Sequence, residues 1–215
     1  MSDALIEAIE SGDVDRVAKL LAAGADPNAT RPRYFTPLQD AVCEYEPPDN
    51  LRGVDAMVLL LRHGALVDGQ EGPEDGTPLL LAVKRNHIEA VRILLSVGAD
   101  PNVYDGVGDS PLRWCAEKGY LEMARLLLLC GATKTIHEGA GPSGMNALGF
   151  AATRLHVDMV RLLLAHGADP RIEDVDDMTT FSILQYAIEH GRIPEDPASQ
   201  ESLRQIRELL GDPAA

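Results

Sequence analysis

The stretch IEAVRILLSVGADPN, residues 88–102, decides the fold because the chain repeats it. Four related segments read VDRVAKLLAAG (14–24), VDAMVLLLRHG (54–64), LEMARLLLLCG (121–131) and VDMVRLLLAHG (157–167). Each has apolar residues at its first, fourth, seventh and eighth positions, which is the stripe of an amphipathic helix. The closing glycines lie 40, 34, 33 and 36 residues apart and suit left-handed helix C-caps. The pattern predicts five copies of one capped helix.

A second phrase precedes each of the later copies. It reads TPLQDAV at 36, TPLLLAV at 77, SPLRWCA at 110, NALGFAA at 146 and SILQYAI at 182. A Ser or Thr N-cap followed by Pro at the first helical position is typical of a helix start. The repeating unit is therefore a pair of helices with a connector rich in Gly, Asp and Pro. One pair cannot bury its apolar face alone, but stacked pairs can.

The 33-residue period, the Thr-Pro-Leu start and the Gly-Ala-Asp end resemble the ankyrin repeat family, from about Asp3 to about Leu210. The resemblance implies an all-α ankyrin-repeat solenoid of helix pairs joined by hairpin-like connectors, with about six units including N- and C-terminal caps. We expect a single domain, 1–215, with units at about 1–30, 31–70, 71–103, 104–137, 138–173 and 174–211.

One position departs from the family pattern. The residue after Thr-Pro-Leu is often His in the family, but here it is Gln39, Leu80, Arg113, Gly149 or Gln185. The hydrogen bonding that this His supports at the helix start is therefore made otherwise or is absent.

Composition limits the core and the compartment. Hydrophobic residues are 45% of the chain and aromatic residues only 4%, so Leu, Val, Ile and Ala must form a closely packed core without a roomy ligand cavity. The N-terminal MSDALIEAIESGD is acidic and amphipathic, unlike a signal peptide, and no apolar run is long enough to span a membrane. Cys43, Cys115 and Cys130 show no paired spacing, which favours free thiols. We expect a cytoplasmic location.

The formal net charge of −15 opposes binding to nucleic acid or to an anionic membrane, because both require cationic contacts. It favours a protein partner with a basic surface, approached under electrostatic steering. The alternative is an acidic surface that only keeps the chain in solution.

No group of residues forms a recognisable catalytic or metal-binding pattern. His63 and His166 share the position before a helix-ending glycine, where they can hydrogen-bond terminal carbonyls, and His87 and His156 share the turn before a second helix. The Gly-rich DGVGDS at 105–110 lacks the Lys of a phosphate loop. We therefore expect no enzymatic activity, no cofactor and no metal.

The repeats are interrupted in three places, and insertions in repeat proteins lie in exposed loops. The interruptions are CEYEPPDNLRG (43–53), HEGAGPSG (137–144) and, between the helices of the last unit, GRIPEDPASQES (191–202). The first carries Tyr45 and two prolines, which favours a contact loop, although neutral drift remains the alternative. We interpret the third as drift.

The resemblance implies partner binding through connector tips and the ends of first helices, which line a concave groove in the family. The predicted partner-binding residues are Arg33, Tyr34, Phe35, Glu44, Tyr45, Glu71, Glu74, Asp75, Lys84, Arg85, Tyr104, Asp105, Asp109, Arg113, Trp114, Met145 and Arg154. For Trp114 the alternative is packing between neighbouring first helices.

These features together predict a protein-binding module, a monomer when unbound, that masks a basic partner as an inhibitor or immunity-like protein. An adaptor or scaffold subunit within a larger complex is the alternative. Two further alternatives differ in class from a binding module. One is an enzyme with a site assembled across repeats, and the other is a homo-oligomer that associates through exposed Leu129 and Cys130. We also expect charge reversal at the acidic tip Glu71, Glu74 and Asp75 to slow association more than it speeds release.

Overall fold

The computed structural model describes residues 2–29, 35–44, 52–69, 76–140 and 143–211. Within these ranges the chain forms α-helices and no strand, which confirms the predicted all-α class. The helices are α1 Ser2–Glu10, α2 Val14–Ala22, α3 Pro37–Cys43, α4 Arg52–Arg62, α5 Pro78–Lys84, α6 Ile88–Ser96, α7 Pro111–Lys118, α8 Leu121–Leu129, α9 Ala147–Thr153, α10 Val157–Ala165, α11 Thr180–Glu189 and α12 Pro197–Leu210.

The helices fall into two compact units, Met1–Gly106 and Val107–Ala215. In the first unit each odd-numbered helix packs against the even-numbered helix that follows it. The first helices α1, α3 and α5 also pack side by side, as do the second helices α2, α4 and α6. Aliphatic side chains fill the space between the two rows, and the largest fully buried ones include Leu5, Ile9, Leu38, Met57, Leu60, Leu79 and Leu94.

The second unit repeats this arrangement. The helices α7, α9 and α11 form one row, and α8, α10 and α12 form the other. Its fully buried side chains include Leu112, Met123, Leu127 and Leu148. The low aromatic content is thus accommodated as predicted, by Leu, Val, Ile and Ala packed between short helices, and methionines such as Met57 and Met123 add to this core.

The helix ends follow the repeated phrases. Thr36, Thr77, Ser110 and Asn146 are N-caps whose side chains accept a hydrogen bond from the backbone N–H three residues later. Each glycine that ends a second helix has a positive φ, between 88° and 96° at Gly24, Gly64, Gly98, Gly131 and Gly167. The predicted start of the first helices and the predicted end of the second helices are therefore confirmed.

The predicted start of α11, the first helix of the last unit, was wrong by one turn. Its N-cap is Thr179, whose hydroxyl accepts from the N–H of Ser182, so the helix begins before SILQYAI rather than at it. TTFS at 179–182 is thus the degenerate counterpart of Thr-Pro-Leu, and Ser182 rather than Gln185 occupies the family's His position.

The last helix, α12, also begins earlier in the chain than we predicted. Asp196 caps α12 by accepting from the N–H groups of Ala198 and Ser199, and Pro197 occupies the first turn. PASQES, residues 197–202, therefore belongs to a 14-residue helix and not to an inserted loop. An Asp-Pro pair is a helix-start signal, so the start of α12 could have been predicted from the sequence.

Two different side chains replace the hydrogen bonds of the missing His. In the first unit, Gln39 Oε1 accepts from the N–H of Thr36 at 2.7 Å, and its Nε2 donates to the carbonyl of Gly76 at 2.9 Å. In the second unit, the Nε of Arg113 donates to the carbonyl of Met145 at 2.7 Å. In both cases the side chain bonds the residue just before the next N-cap, so it ties one repeat to the next connector.

The histidines are used in the packing of the repeats. His166 Nδ1 lies 2.9 Å from the carbonyl of Leu162, which confirms the predicted bond to a helix-end carbonyl. His156 Nδ1 lies 3.1 Å from the carbonyl of Ala116, and Nε2 of His137 accepts from the N–H of Asp169 at 2.9 Å.

Replacing Asn146 with Thr is expected to raise the free energy of unfolding by about 1 kcal/mol. The Asn146 side chain caps α9, but its Nδ2 is buried and has no hydrogen-bond partner within the described ranges. Thr keeps the capping oxygen, as at Thr36 and Thr77, and removes the unsatisfied donor. Urea unfolding followed by circular dichroism measures the change. A loss of stability as large as that of the cap-removing variant Asn146→Ala would contradict this account.

Candidate partner-binding surface

Six of the predicted contact residues lie outside the described residues. These are Arg33, Tyr34, Tyr45, Glu71, Glu74 and Asp75, together with most of the CEYEPPDNLRG insertion. Their part in partner binding stays a prediction.

In the first unit, Lys84 and Asp105 form a pair between the end of α5 and the next connector. Lys84 Nζ lies 2.8 Å from Asp105 Oδ2, and the side chains are 20% and 1% exposed, respectively. The structure brings these two predicted residues together. It places the Asp105 carboxylate inside the unit, however, so a partner cannot reach it directly.

Four other predicted residues of this unit lie nearer the surface. Arg85 is the exposed C-cap of α5, and Tyr104 is 40% exposed on its connector. Phe35 and Glu44 are half-buried, one just before the N-cap of α3 and the other at its C-cap. Arg85 and Tyr104 therefore offer a cation and an aromatic ring to a partner, which are common interface contacts.

In the second unit, Arg113 is buried and organises two connectors. Its guanidinium pairs with Asp109, donates to the carbonyls of Met145 and Ala140, and donates to Ser143 Oγ at 3.1 Å. It also lies over the ring of Phe150, 4.9 Å from the centroid. With the residue 4% exposed, Arg113 supports the connector that carries Met145 and does not itself form the surface.

Trp114 and Arg154, in the same unit, both reach the surface. Trp114 is half-buried, and Lys118 Nζ lies 4.8 Å from the centroid of its ring. Arg154 is exposed and lies 3.4 Å from Glu117. The exposed edge of Trp114 and the guanidinium of Arg154 are both available for contact.

A cleft of about 590 Å³ opens in this unit between the ends of α9 and α11 and their connectors. Met145, Met178, Ile183 and Tyr186 line it, and Thr153, Arg154, Asp174, Asp176 and Arg192 add polar groups. The expectation of a chain without a roomy cavity is therefore wrong at this point. Asp174, Tyr186 and Arg192 were not among the predicted site residues.

The thiols show different accessibility. Cys115 is buried, Cys43 is half-buried and Cys130 is exposed. Burial raises the pKa of the Cys115 thiol far above its usual range, so this group stays protonated and unreactive. Leu129, next to Cys130, is 78% exposed, as the hypothesis of a homo-oligomer formed through these two residues requires.

Within the described ranges, no three His, Cys, Asp or Glu side chains come together as a metal-binding group. None of the helices found there is long and apolar enough to cross a membrane.

Comparison with known proteins assigns the family. A family model for ankyrin repeats in three copies matches residues 5–105, 50–138 and 112–195. The chain belongs to the ankyrin repeat family. The predicted family and the predicted solenoid of helix pairs are confirmed. Ankyrin repeats mediate protein–protein interaction and are typically non-catalytic, which gives the general class of function.

The relatives by sequence are longer proteins. The chain is 43% identical over 171 residues to the palmitoyltransferase Hip14 of Drosophila melanogaster, covering 79% of this chain and 25% of that protein. It is 33% identical over 114 residues to ankyrin repeat and SOCS box protein 6 of Mus musculus, covering 52% and 26%. The chain thus spans about a quarter of the length of these relatives.

Two solved structures share the fold along their whole length. The ankyrin repeat protein EF0377 superposes with a TM-score of 0.77 at 24% identity, covering 99% of this chain and 98% of that one. A chain in the complex of the predatory endopeptidase Bd0816 from Bdellovibrio bacteriovorus with immunity protein Bd3460 superposes with a TM-score of 0.73 at 23% identity, covering 96% and 98%. At these identities the likeness concerns the fold alone.

Proposed function

We propose that this protein binds a protein partner with a basic surface and masks it sterically, as an inhibitor or immunity-like protein does. The observation that carries the proposal is the formal net charge of −15. Part of this charge is concentrated on a connector, since EDVDD at 173–177 exposes Glu173, Asp176 and Asp177. Such a surface accelerates the approach of a cationic partner.

The proposed contact surface consists of connectors and first-helix ends. It includes Phe35, Glu44, Arg85 and Tyr104 in the first unit, and Trp114, Met145 and Arg154 in the second. These positions are supported by ion pairs inside the units, Lys84–Asp105 in the first and Arg113–Asp109 in the second. The complex of the endopeptidase Bd0816 with immunity protein Bd3460, one chain of which has this fold, supports the proposal.

We place this action in the cytoplasm, which the odd number of three cysteines without paired spacing supports, because a reducing compartment does not favour disulfides. An adaptor function is the second candidate. The sequence relatives favour it, since their matching segments are parts of much longer proteins. The two functions differ in what happens to the partner. Masking abolishes the activity of a bound enzyme at a 1:1 ratio, whereas an adaptor leaves that activity intact.

A pull-down from the soluble extract of the native organism tests the proposal, with washes at low salt and at about 0.5 M salt, where screening is strong. We expect one stoichiometric basic protein that is weakened or lost at high salt. Capture of a neutral partner that is insensitive to salt would contradict the charge argument.

Neutralising the acidic connector is expected to slow association with that basic partner. The variant Glu173→Gln/Asp176→Asn/Asp177→Asn should lower the association rate about fivefold at low salt and change dissociation less. The matched control removes three exposed charges from second helices, Glu89→Gln/Glu122→Gln/Asp158→Asn, and should change the rate less. Stopped-flow or surface plasmon resonance measures both rates. Equal slowing by the two variants would show that only total charge matters.

A further inference from the structure

The cleft in the second unit lies at a joint, by which we mean the contact between the end of a first helix and the connector of the next repeat. Two side chains that are present at other joints are missing at this one. The cleft is formed by the end of α9, the following connector at 174–178 and α11. The joint between α5 and its following connector, in the first unit, supplies the comparison. Its Asp105 lies seven residues after Gly98, and Asp174 lies seven residues after Gly167, so the two aspartates are equivalent.

The aspartate of the first joint has a cation of the chain as its partner. Lys84, seven residues after the N-cap Thr77, reaches across to Asp105 at 2.8 Å. The position seven residues after the N-cap Asn146 is Thr153. Thr153 is too short to reach the connector, and its hydroxyl donates instead to the carbonyl of Gly149 at 2.9 Å.

Asp174 therefore keeps the position of Asp105 without its cation. The residue is only 9% exposed and lines the cleft, and one of its oxygens accepts from the N–H groups of Asp176 and Met178. Among the residues that the structure describes, no Lys, Arg or His comes within ion-pair distance of Asp174. A carboxylate this far from bulk water is stabilised by a positively charged neighbour.

Gly149 removes a second side chain from the same joint. It occupies the position of Gln39 and Arg113, whose side chains bond the residue before the next N-cap. The corresponding carbonyl here is that of Met178, which accepts only from the N–H of Asp174 at 3.0 Å among the bonds within the described ranges. One of its lone pairs is thus left for a further donor.

Two arginines also border the cleft and limit what can enter it. Arg154 lies beside Glu117, and the guanidinium of Arg192 lies over the ring of Tyr186, 5.0 Å from the centroid. They repel a cation that approaches from their side. Glu173, Asp176 and Asp177 outnumber them around Asp174, so the connector side attracts a cation.

We propose that this cleft receives a Lys or Arg side chain of the basic partner, with its charged end on Asp174 and its aliphatic stem along Met145 and Met178. The partner's side chain thereby takes the place that Lys84 occupies against Asp105 within the chain. This inference rests on the proposed function, because it takes the partner to be a basic protein. It adds the position and the chemistry of one central contact.

The test fills the cleft from within. Thr153→Lys places an ammonium where Lys84 has one, and Asp174→Asn removes the charge while keeping the oxygen that accepts from Asp176 and Met178. The probe is Nα-acetyl-lysine methylamide, titrated into ¹⁵N-labelled protein and followed by amide chemical shifts. Its neutral norleucine counterpart and Nα-acetyl-glutamate methylamide are the comparison ligands, and Glu122→Gln, at an exposed position of α8 outside the cleft, is the matched control variant.

We expect the lysine probe to shift amides at 143–154 and 174–187, and the norleucine probe to leave them unchanged. Thr153→Lys and Asp174→Asn should each weaken binding of the lysine probe by about tenfold or more, whereas Glu122→Gln should change it by less than about twofold. A thermal midpoint of Thr153→Lys at or above that of the natural chain shows that the loss is not unfolding. Equal binding of norleucine, stronger binding of the glutamate probe, or unchanged binding to Thr153→Lys would overturn the proposal.

The captured basic partner separates this inference from the proposed function. If the partner binds the natural chain but binds Thr153→Lys with the same affinity, masking of a basic partner stands and the cleft contact is wrong. If the lysine probe binds the cleft while no basic protein is captured at low salt, the cleft chemistry stands and the proposed function is wrong.

Discussion

Replacing Arg113 with Ala is expected to lower the free energy of unfolding of the Val107–Ala215 unit by about 3–5 kcal/mol. The guanidinium is paired with Asp109 and donates to the carbonyls of Ala140 and Met145. Its removal leaves an acidic side chain that is only 17% exposed without its counter-ion, and removes the donor to two connector carbonyls. The loss of its stacking on Phe150 adds to the effect.

The only tryptophan of the chain makes this change measurable locally. Trp114 follows Arg113 in α7, so its fluorescence reports on the unit during urea unfolding. Arg125→Ala is the matched control, because Arg125 is 49% exposed and pairs with Glu122 on the surface of α8. It should change the free energy of unfolding by about 0.5 kcal/mol or less.

The substitution Arg113→Lys distinguishes the network from simple charge pairing. Lys keeps the charge opposite Asp109 but cannot donate to Met145, Ala140 and Ser143 in the planar geometry of a guanidinium. It should recover less than half of the stability lost in Arg113→Ala. Full recovery would show that the ion pair alone stabilises this position.

Much of the fold was predictable because the information is local. The helix stripes, the Thr and Ser N-caps and the glycines with positive φ each depend on neighbours within a few residues, and all recur with the repeat. The two errors in helix boundaries occurred where the phrase is degenerate. Thr179 caps α11 without a following proline, and Asp196-Pro197 lies inside what was interpreted as an insertion.

The candidate site was less predictable because it depends on pairs between repeats. The sequence places Arg113 and Trp114 side by side, but only the packing shows that Arg113 is buried under a connector while Trp114 keeps an exposed edge. Asp105 and Asp174 are equivalent by spacing from the preceding glycine. Their difference depends on Lys84 and Thr153, one repeat earlier, and a comparison of joints rather than of single repeats would have found it.

Replacing Lys84 with Met is expected to lower the free energy of unfolding of the Met1–Gly106 unit by about 2–3 kcal/mol. Met retains most of the aliphatic stem, so the variant removes mainly the charge that faces Asp105. The Asp105 side chain is 1% exposed and remains in place as a buried carboxylate. Urea unfolding followed by circular dichroism at neutral pH measures the change. Lys19→Met, at an exposed position of α2, is the control, expected to have an effect of about 0.5 kcal/mol or less.

A double-mutant cycle with Asp105→Asn isolates the pair. If the ion pair causes the loss, Lys84→Met should be much less destabilising in the Asp105→Asn background, because the charge that Lys84 faces is then already absent. Equal losses in both backgrounds would assign the effect to packing of the lysine stem.

Lys84→Met also makes the first joint resemble the cleft joint, where Thr153 leaves Asp174 without a cation of the chain. The variant should therefore bind the lysine probe near Asp105, which the natural chain does not do because Lys84 occupies the place. Thr153→Lys should produce the reverse change at Asp174. If only one of the two substitutions moves the probe site, the aspartates differ in more than their cation, and the connector around each of them controls access. If both do, one missing lysine is sufficient to turn a structural joint of this fold into a receptor for a basic side chain.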